Sequence, residues 1–333
     1  MPQTAARHRL LVTVLIVLAI GAGGLMAGQS LVNGRLGKAL DDGVIGALVS
    51  FGSGLVLVAL INALAPAHRA AVRTLVGAVR ARAFPRWYLV AGVMGSIMVF
   101  SQAATVSIVG VARFTVAVVV GQVVSGLFVD RIGFAGVPPR RLEWTRIVGA
   151  VLMVVAAVLS VSSGLSSDES VATQVLPLLL PIFAGCLTSV QMACNGAIAR
   201  AAGSVWPSTL VNFAAGTTAL TIGWLATRPA HGGFRMPDFP PQWWLYLGGT
   251  MGLVLIAVQA RIVSTLGALV MGLSTISGQL VGGLVLALVI PSAGPATALT
   301  VAGTVLAVAA VALGAVRRKE PSRPSGAVAA PRS

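Results

Sequence analysis

The sequence predicts an all-α integral membrane protein with ten transmembrane helices, arranged as two inverted five-helix repeats. Hydrophobic residues make up 56% of the 333 residues and charged residues only 9%, and the mean hydropathy is +0.93. The apolar runs are too long and too numerous for a soluble core. A carboxamide pair at the end of the first run, Gln29 and Asn33, returns 162 residues later as Gln191 and Asn195. This return predicts an internal duplication.

The first half contains five apolar segments. The first, residues 10–28, has an alternative interpretation as a secretory signal cleaved after Ala27, but its counterpart in front of Gln191 lies deep in the chain and cannot be a signal. Residues 66–86 form a polar loop with five arginines and no acid, which is the strongest topological signal. Residues 87–129 are long enough to cross a bilayer of about 30 Å twice. We therefore place spans at 10–28, 44–65, twice within 87–129 with a reversal near 107–110, and at 147–161.

The second half repeats this plan after a small, polar and acidic linker at residues 162–170. Its spans are placed near 176–194, 206–226, 244–260, 268–290 and 296–316. The resulting organisation has a first repeat at 1–163, a second repeat at 164–316 and a basic tail at 317–333, whose composition is typical of disorder.

Further identities relate the two halves. Phe51 and Gly54 correspond to Phe213 and Gly216 at the same offset of 162 residues. In the third and fourth spans the offset is 157, and eight residues correspond: Gly92, Gly95, Gln102, Ser107, Gly110, Gly121, Gln122 and Gly126 to Gly249, Gly252, Gln259, Ser264, Gly267, Gly278, Gln279 and Gly283. So many identities at one offset favour a true duplication over a compositional accident.

Orientation follows from the distribution of Lys and Arg, which accumulate on the cytoplasmic side of a membrane protein. With the N-terminus inside, the cytoplasmic flanks hold fourteen of these residues and the external loops four. Both termini are then cytoplasmic. Because each half has an odd number of spans, the second half is inserted upside down. Such inverted repeats are typical of secondary transporters, whose site lies near the bilayer midplane.

The paired motifs resemble a known family. The amide pairs that end the first span of each half, and the Gly-Gln pairs at 121–122 and 278–279, are similar to the YdcZ-like branch of the drug/metabolite transporter superfamily. The resemblance covers residues 10–316. It implies a bacterial inner-membrane permease, often an exporter in the superfamily, with a central cavity lined by the first, third and fourth spans of each half. One departure from the family is that Asp130, which follows the fourth span, has Ala287 as its counterpart at the offset of 157, so the acid is not repeated in the second half.

Enzymatic chemistry is disfavoured by elimination. His8, His68 and His231 lie in predicted loops or the N-terminal tail, and no predicted span holds a carboxylate pair, a Cys/His cluster or a phosphate loop. We therefore predict no catalytic residue, no metal and no cofactor. The net charge of +15 comes from arginines that flank spans, so we also predict no nucleic-acid partner.

The candidate substrate-binding residues are amides: Gln29, Asn33, Gln102, Gln122, Gln191, Asn195, Gln259 and Gln279. An unpaired amide facing lipid is costly, so these side chains should face protein or a polar cavity. The alternative is that they only hydrogen-bond neighbouring helices. Arg113, Arg261 and Asp130 are candidate gate or charge contacts. For the arginines the alternative is snorkelling to the interface, and for Asp130 it is an interfacial ion pair.

These observations predict a secondary transporter that moves a small polar or amphipathic metabolite by alternating access through an amide-lined cavity. The alternative is a non-transporting membrane scaffold or lipid-handling subunit, and a membrane enzyme ranks third. The predicted partners are the small-molecule substrate and membrane lipids, and the predicted assembly is a monomer or homodimer.

Overall fold

The computed structural model describes residues 2–136, 139, 144–162, 171–231, 233, 237–294 and 296–315. Side chains are described throughout these ranges except at 2–9, 146, 160–162, 171–174, 230, 231, 260, 261, 263–270, 314 and 315. This described part is all-helical. Its α-helices are α1 (Pro2–Ala39), α2 (Gly43–Leu64), α3 (Pro66–Arg80), α4 (Gly92–Val109), α5 (Val111–Ile132), α6 (Trp144–Ser162), α7 (Val171–Ala202), α8 (Val205–Thr227), α9 (Gly248–Val289) and α10 (Ala298–Ala315).

Seven helical segments of the described chain are long and apolar enough to cross a membrane. They are Leu10–Ala39, Gly43–Leu64, Arg86–Val109, Val111–Ile132, Val175–Ala202, Val205–Thr227 and Met271–Val289. Three shorter apolar helices, Ile147–Leu159, Trp243–Gln259 and Ala298–Leu313, fall where the other three spans are predicted. Of the predicted linker at 162–170, residue 162 ends α6 and residues 163–170 lie outside the described residues, as does the tail at 317–333.

The prediction of a loop at residues 66–86 is wrong, because most of that segment is helix α3. Pro66 occupies the first turn, where its missing N–H costs nothing. Leu75 is 5% exposed and packs in one cluster with Phe84, Cys194 and Ile198. The five arginines made the segment look like a polar loop, whereas the apolar residues between them recur at helical spacing.

The reversal predicted near 107–110 is confirmed in the first half. Gly110 separates α4 from α5 with φ 82° and ψ 153°, a conformation that L side chains rarely adopt. In the second half the corresponding stretch belongs to the single helix α9, where we predicted two spans.

The two parts of α9 nevertheless run in opposite directions along α1. Met251 lies beside Gly28, and both Ile262 and Met271 cluster with Ala19. Further along α9, Gly282 packs against Gly24. Moving along α9, the residue of α1 that it contacts first decreases in number, from 28 to 19, and then increases to 24. The chain therefore turns back between Ile262 and Met271. A straight helix would instead separate those two residues by about 13 Å.

Close helix packing between the halves is reciprocal. Gly278 of α9 packs on the backbone of Ile20 in α1, and its counterpart Gly121 of α5 packs on the backbone of Ile182 in α7. Residues 20 and 182 are also separated by the repeat offset of 162. The first span of each half therefore lies against the predicted fourth span of the other half.

The segments that follow α2 and α8 lie at opposite ends of this helix pair. At one end Arg228, just after α8, forms an ion pair with Asp42, just before α2. At the other end the Asn62 Nδ2 donates to the Trp206 carbonyl over 3.3 Å. The 42/228 end is called the outer end below, and the 62/206 end the inner end, following the orientation predicted from the sequence.

Candidate functional site

A first cluster of polar side chains joins α1, α4 and α9. The Asn33 Nδ2 donates to the Gln102 Oε1 over 2.7 Å, and the Gln102 Nε2 donates to the Ser30 Oγ over 3.0 Å. The Gln29 Nε2 donates to the Gly248 carbonyl over 2.8 Å. Asn33 is fully buried, and its Oδ1 has no hydrogen-bond partner among the described residues. One acceptor of this cluster is therefore unused.

A second cluster contains the repeat-equivalent amide pair of the other half and joins α7 to α8. The Gln191 Nε2 and the Asn195 Nδ2 both donate to the Asn212 Oδ1, over 2.7 Å and 3.1 Å. The Ser208 Oγ donates to the Asn195 carbonyl over 2.8 Å. Sequence reasoning missed Asn212. The available signal was the repeat offset, which places it opposite another polar residue, Ser50.

Glycines on the predicted third spans leave room for these amides. A Cβ added at Gly252 would lie 3.0 Å from the Gln29 Nε2, and one added at its counterpart Gly95 would lie 3.0 Å from the Gln191 Cδ. Both halves thus contain the amide and also the glycine that leaves space for it. In each half, the amide of the first span approaches the backbone of the other half's third span.

Two phenylalanines pack against each other next to both clusters. The ring centroids of Phe51 and Phe213 are 5.1 Å apart, and both side chains are buried. Each ring covers the glycine of the opposite motif, Phe213 on Gly54 and Phe51 on Gly216. The Cβ that would clash with Gln29 at Gly252 would also lie 3.8 Å from the Phe213 Cζ. The sequence marked these phenylalanines as repeat equivalents, but we assigned them no role.

The remaining candidate amides are placed separately. Gln279 of α9 is 1% exposed, and its Nε2 has no hydrogen-bond partner among the described residues. Gln122 and Gln259 are partly buried on α5 and α9. The structure therefore brings together Gln29, Asn33 and Gln102, and separately Gln191 and Asn195. That all eight amides line one cavity stays a prediction.

The candidate charge contacts are far apart. Arg113 lies in the first turn of α5 and Asp130 in the last. Their separation of 17 residues corresponds to about 25 Å of helix, so they do not pair with each other. The side chain of Arg261 lies outside the described residues.

An outer cavity of about 500 Å³ lies between α1, α2, α4 and the end of α8. Its wall includes Lys38, Asp41, Asp42 and Arg228 but none of the eight amides. Asp42 uses its two oxygens differently. Its Oδ1 accepts from the backbone N–H groups of residues 44 and 45 over 2.9 Å and 3.0 Å, which caps α2, and its Oδ2 accepts from Arg228.

The ion pair has no equivalent at the inner end. By the repeat offset, Asp42 corresponds to Ser204 and Arg228 to Pro66. Ser204 keeps only the capping role, accepting from the Trp206 N–H over 3.4 Å. The two ends of the molecule are thus closed by different interactions.

Comparison with known families agrees with this two-part organisation. A family model described as "Putative inner membrane exporter, YdcZ" matches residues 14–159 and 176–313. The chain belongs to this family. One matched segment lies in each half of the chain, and no curated protein matches the chain. As a member of the YdcZ family with several apolar helices, the chain is a multi-pass inner membrane protein. The family's description is that of a transporter, which is not an enzyme class.

Proposed function

We propose that the chain is a secondary transporter that exports a small polar or amphipathic metabolite by alternating access through a central, amide-lined cavity. The observation that carries this proposal is that the repeat-equivalent amide pairs, Gln29/Asn33 and Gln191/Asn195, each belong to a polar cluster near the packed Phe51 and Phe213 rings. The eight candidate amides are the proposed substrate contacts, and Asn212 joins them. Arg113, Arg261 and Asp130 are proposed as gate or charge contacts.

The proposed architecture is ten spans in two inverted repeats, residues 1–163 and 164–316, with a cytoplasmic tail at 317–333. The reciprocal packing of Gly278 on Ile20 and of Gly121 on Ile182 supports it. The turn of α9 between Ile262 and Met271 also supports it, because this turn divides α9 into two antiparallel segments.

The proposed orientation places both termini in the cytoplasm. The end of the molecule at Trp206 carries the arginine-rich segment 66–86. The opposite end carries Arg228 and Asp42 as an ion pair. A cytoplasmic inner end and an external outer end therefore fit the bias of positive charge toward the cytoplasm.

The chemistry of amides suits a neutral or zwitterionic solute. Each amide both donates and accepts, so without substrate one side chain can bond to another, as Asn33 donates to Gln102. A solute that offers donors and acceptors exchanges these bonds for others of similar strength, at a small net cost. Movement of the halves around the Phe51 and Phe213 contact would then expose the clusters to one side at a time. Opening the outer end requires breaking the Asp42–Arg228 pair.

The test is a flux assay on a panel of polar and amphipathic solutes in proteoliposomes, with and without an imposed proton gradient. We expect flux of at least one solute. Gln29→Leu and Gln191→Leu should fold and insert normally but lose affinity for it. Absence of flux for every solute, with intact folding, would refute the proposal.

A second candidate, a non-transporting scaffold or lipid-handling subunit, is favoured by one observation. The amides of both clusters already bond to neighbouring helices. If that is their only role, each Leu variant lowers the free energy of unfolding by about 0.6 kcal/mol. Activity would then change only in proportion to the amount of folded protein.

A further inference from the structure

Helix α3 carries its arginines on one side. Arg69, Arg73 and Arg80 lie within about 40° of one another around the helix axis, because they are spaced by four and seven residues. All three side chains are exposed. They form a stripe about 16 Å long, which is called the arginine stripe below.

The opposite side of α3 is fixed to the bundle. Leu75 is buried in the cluster that includes Ile198 and Ala202 of α7, and the partly buried Ala78 and Val79 pack against the same cluster. At the start of α3, the His68 ring lies 5.4 Å from the Trp206 ring. The helix is therefore held with its arginine stripe facing outward.

The residues around the stripe have the composition of a membrane interface. Only Ala65 separates α3 from α2, whose last residue, Leu64, is an exposed apolar side chain. Val76 is 44% exposed on the same side of α3 as the arginines, and Trp87 is 46% exposed at the start of the next span. Exposed apolar and aromatic side chains among arginines are typical of a membrane interface.

Charge at this end is strongly one-sided. Arg82 and Arg86 follow the stripe and are also exposed, and α3 contains no acid. Among the described residues, Asp130 is the acid at the inner end, in the last turn of α5. The Arg69 Nη1 donates a hydrogen bond to the carbonyl of Ala63 in α2 over 2.9 Å. Arg73 and Arg80 are the other two exposed guanidinium groups of the stripe.

We infer that the arginine stripe binds the phosphate headgroups of anionic phospholipids in the adjacent leaflet. Guanidinium groups pair with phosphate oxygens in a bidentate manner. Basic residues near an anionic membrane surface each strengthen binding by about fivefold at moderate ionic strength. The apolar side of α3 covers the inner ends of α7 and α8, and the bound lipids would hold α3 in that place.

The experiment uses the full chain in a neutral detergent, titrated with phosphatidylglycerol or phosphatidylcholine. Bound lipid is counted by native mass spectrometry, and the unfolding midpoint is followed by tryptophan fluorescence. Wild type should bind phosphatidylglycerol in preference to phosphatidylcholine. Arg73→Gln/Arg80→Gln should lower this preference by about thirtyfold at moderate ionic strength. Arg73→Lys/Arg80→Lys should restore much of it.

The matched control is Arg35→Gln/Lys38→Gln, which removes the same charge at the outer end. It should keep the wild-type preference at the stripe. Equal binding of the two lipids to wild type, or an equal loss in the two double variants, would overturn the inference. So would a stripe that binds an acidic peptide or RNA but shows no lipid preference. The measurement needs no transport, so its outcome is independent of the function proposed above.

Discussion

The reciprocal contact between the halves makes a strong prediction about alanine substitutions. A Cβ added at Gly278 would lie 2.7 Å from the carbonyl carbon of Ile20, and the carbonyl oxygen is closer still. Contact between carbon atoms is favourable only near 3.5 Å, so α1 and α9 would have to separate by about 0.8 Å or more. The obstructing atoms are backbone, and no change of rotamer relieves the clash.

The repeat gives a second site with the same geometry. A Cβ added at Gly121 would lie 2.8 Å from the Cys186 nitrogen and 3.0 Å from the Ile182 carbonyl carbon. Overpacking of this kind costs about 1–3 kcal/mol. Gly278→Ala and Gly121→Ala should therefore each lower the free energy of unfolding by about that amount.

The matched control is Gly52→Ala in α2, where an added Cβ meets no atom within 4 Å. Alanine is a better helix former than glycine, so this variant should be neutral or more stable by up to about 1 kcal/mol. Unfolding is followed by tryptophan fluorescence in a mixed-detergent titration. If Gly278→Ala and Gly52→Ala had equal effects, or only one of Gly278→Ala and Gly121→Ala destabilised the protein, the reciprocal interface would be wrong.

Three further predictions concern the ends of the molecule. Asp42→Asn retains the cap of α2 but loses the ion pair with Arg228. A double-mutant cycle with Arg228→Gln in the same unfolding assay should therefore give a coupling energy of about 1–3 kcal/mol. A value near zero would show that the pair contributes nothing to stability. Ala70→Cys and Asp238→Cys, each in a cysteine-free background, should react with a membrane-impermeant thiol reagent from opposite sides of the membrane, and labelling from one side would contradict the inverted repeat. Asp130→Asn should retain substantial flux in proteoliposomes, because the proposed site uses amides; abolished flux at normal expression would make Asp130 essential.

Local patterns in the sequence were sufficient for much of the fold. Apolar runs predict spans because the bilayer demands about 20 apolar residues per helix, and this requirement is independent of tertiary contacts. Repeat offsets identified Gly121 and Gly278, whose close packing depends on the absence of a side chain. The turn at Gly110 was also predictable, since a glycine between two apolar runs is a local signal.

Residue pairing across the halves could be decided only by the tertiary structure. Asp42 and Arg228 are 186 residues apart, and neither has a repeat counterpart of the same charge. Asn212 became part of the second cluster only because α8 lies beside α7. The helical spacing of apolar residues in α3 was available in the sequence and was masked by the five arginines, but that this apolar side packs on α7 could be seen only in the structure. Composition thus determined which segments are apolar enough to cross a membrane. The distances that hydrogen bonds, ion pairs and ring contacts require determined which of their side chains meet.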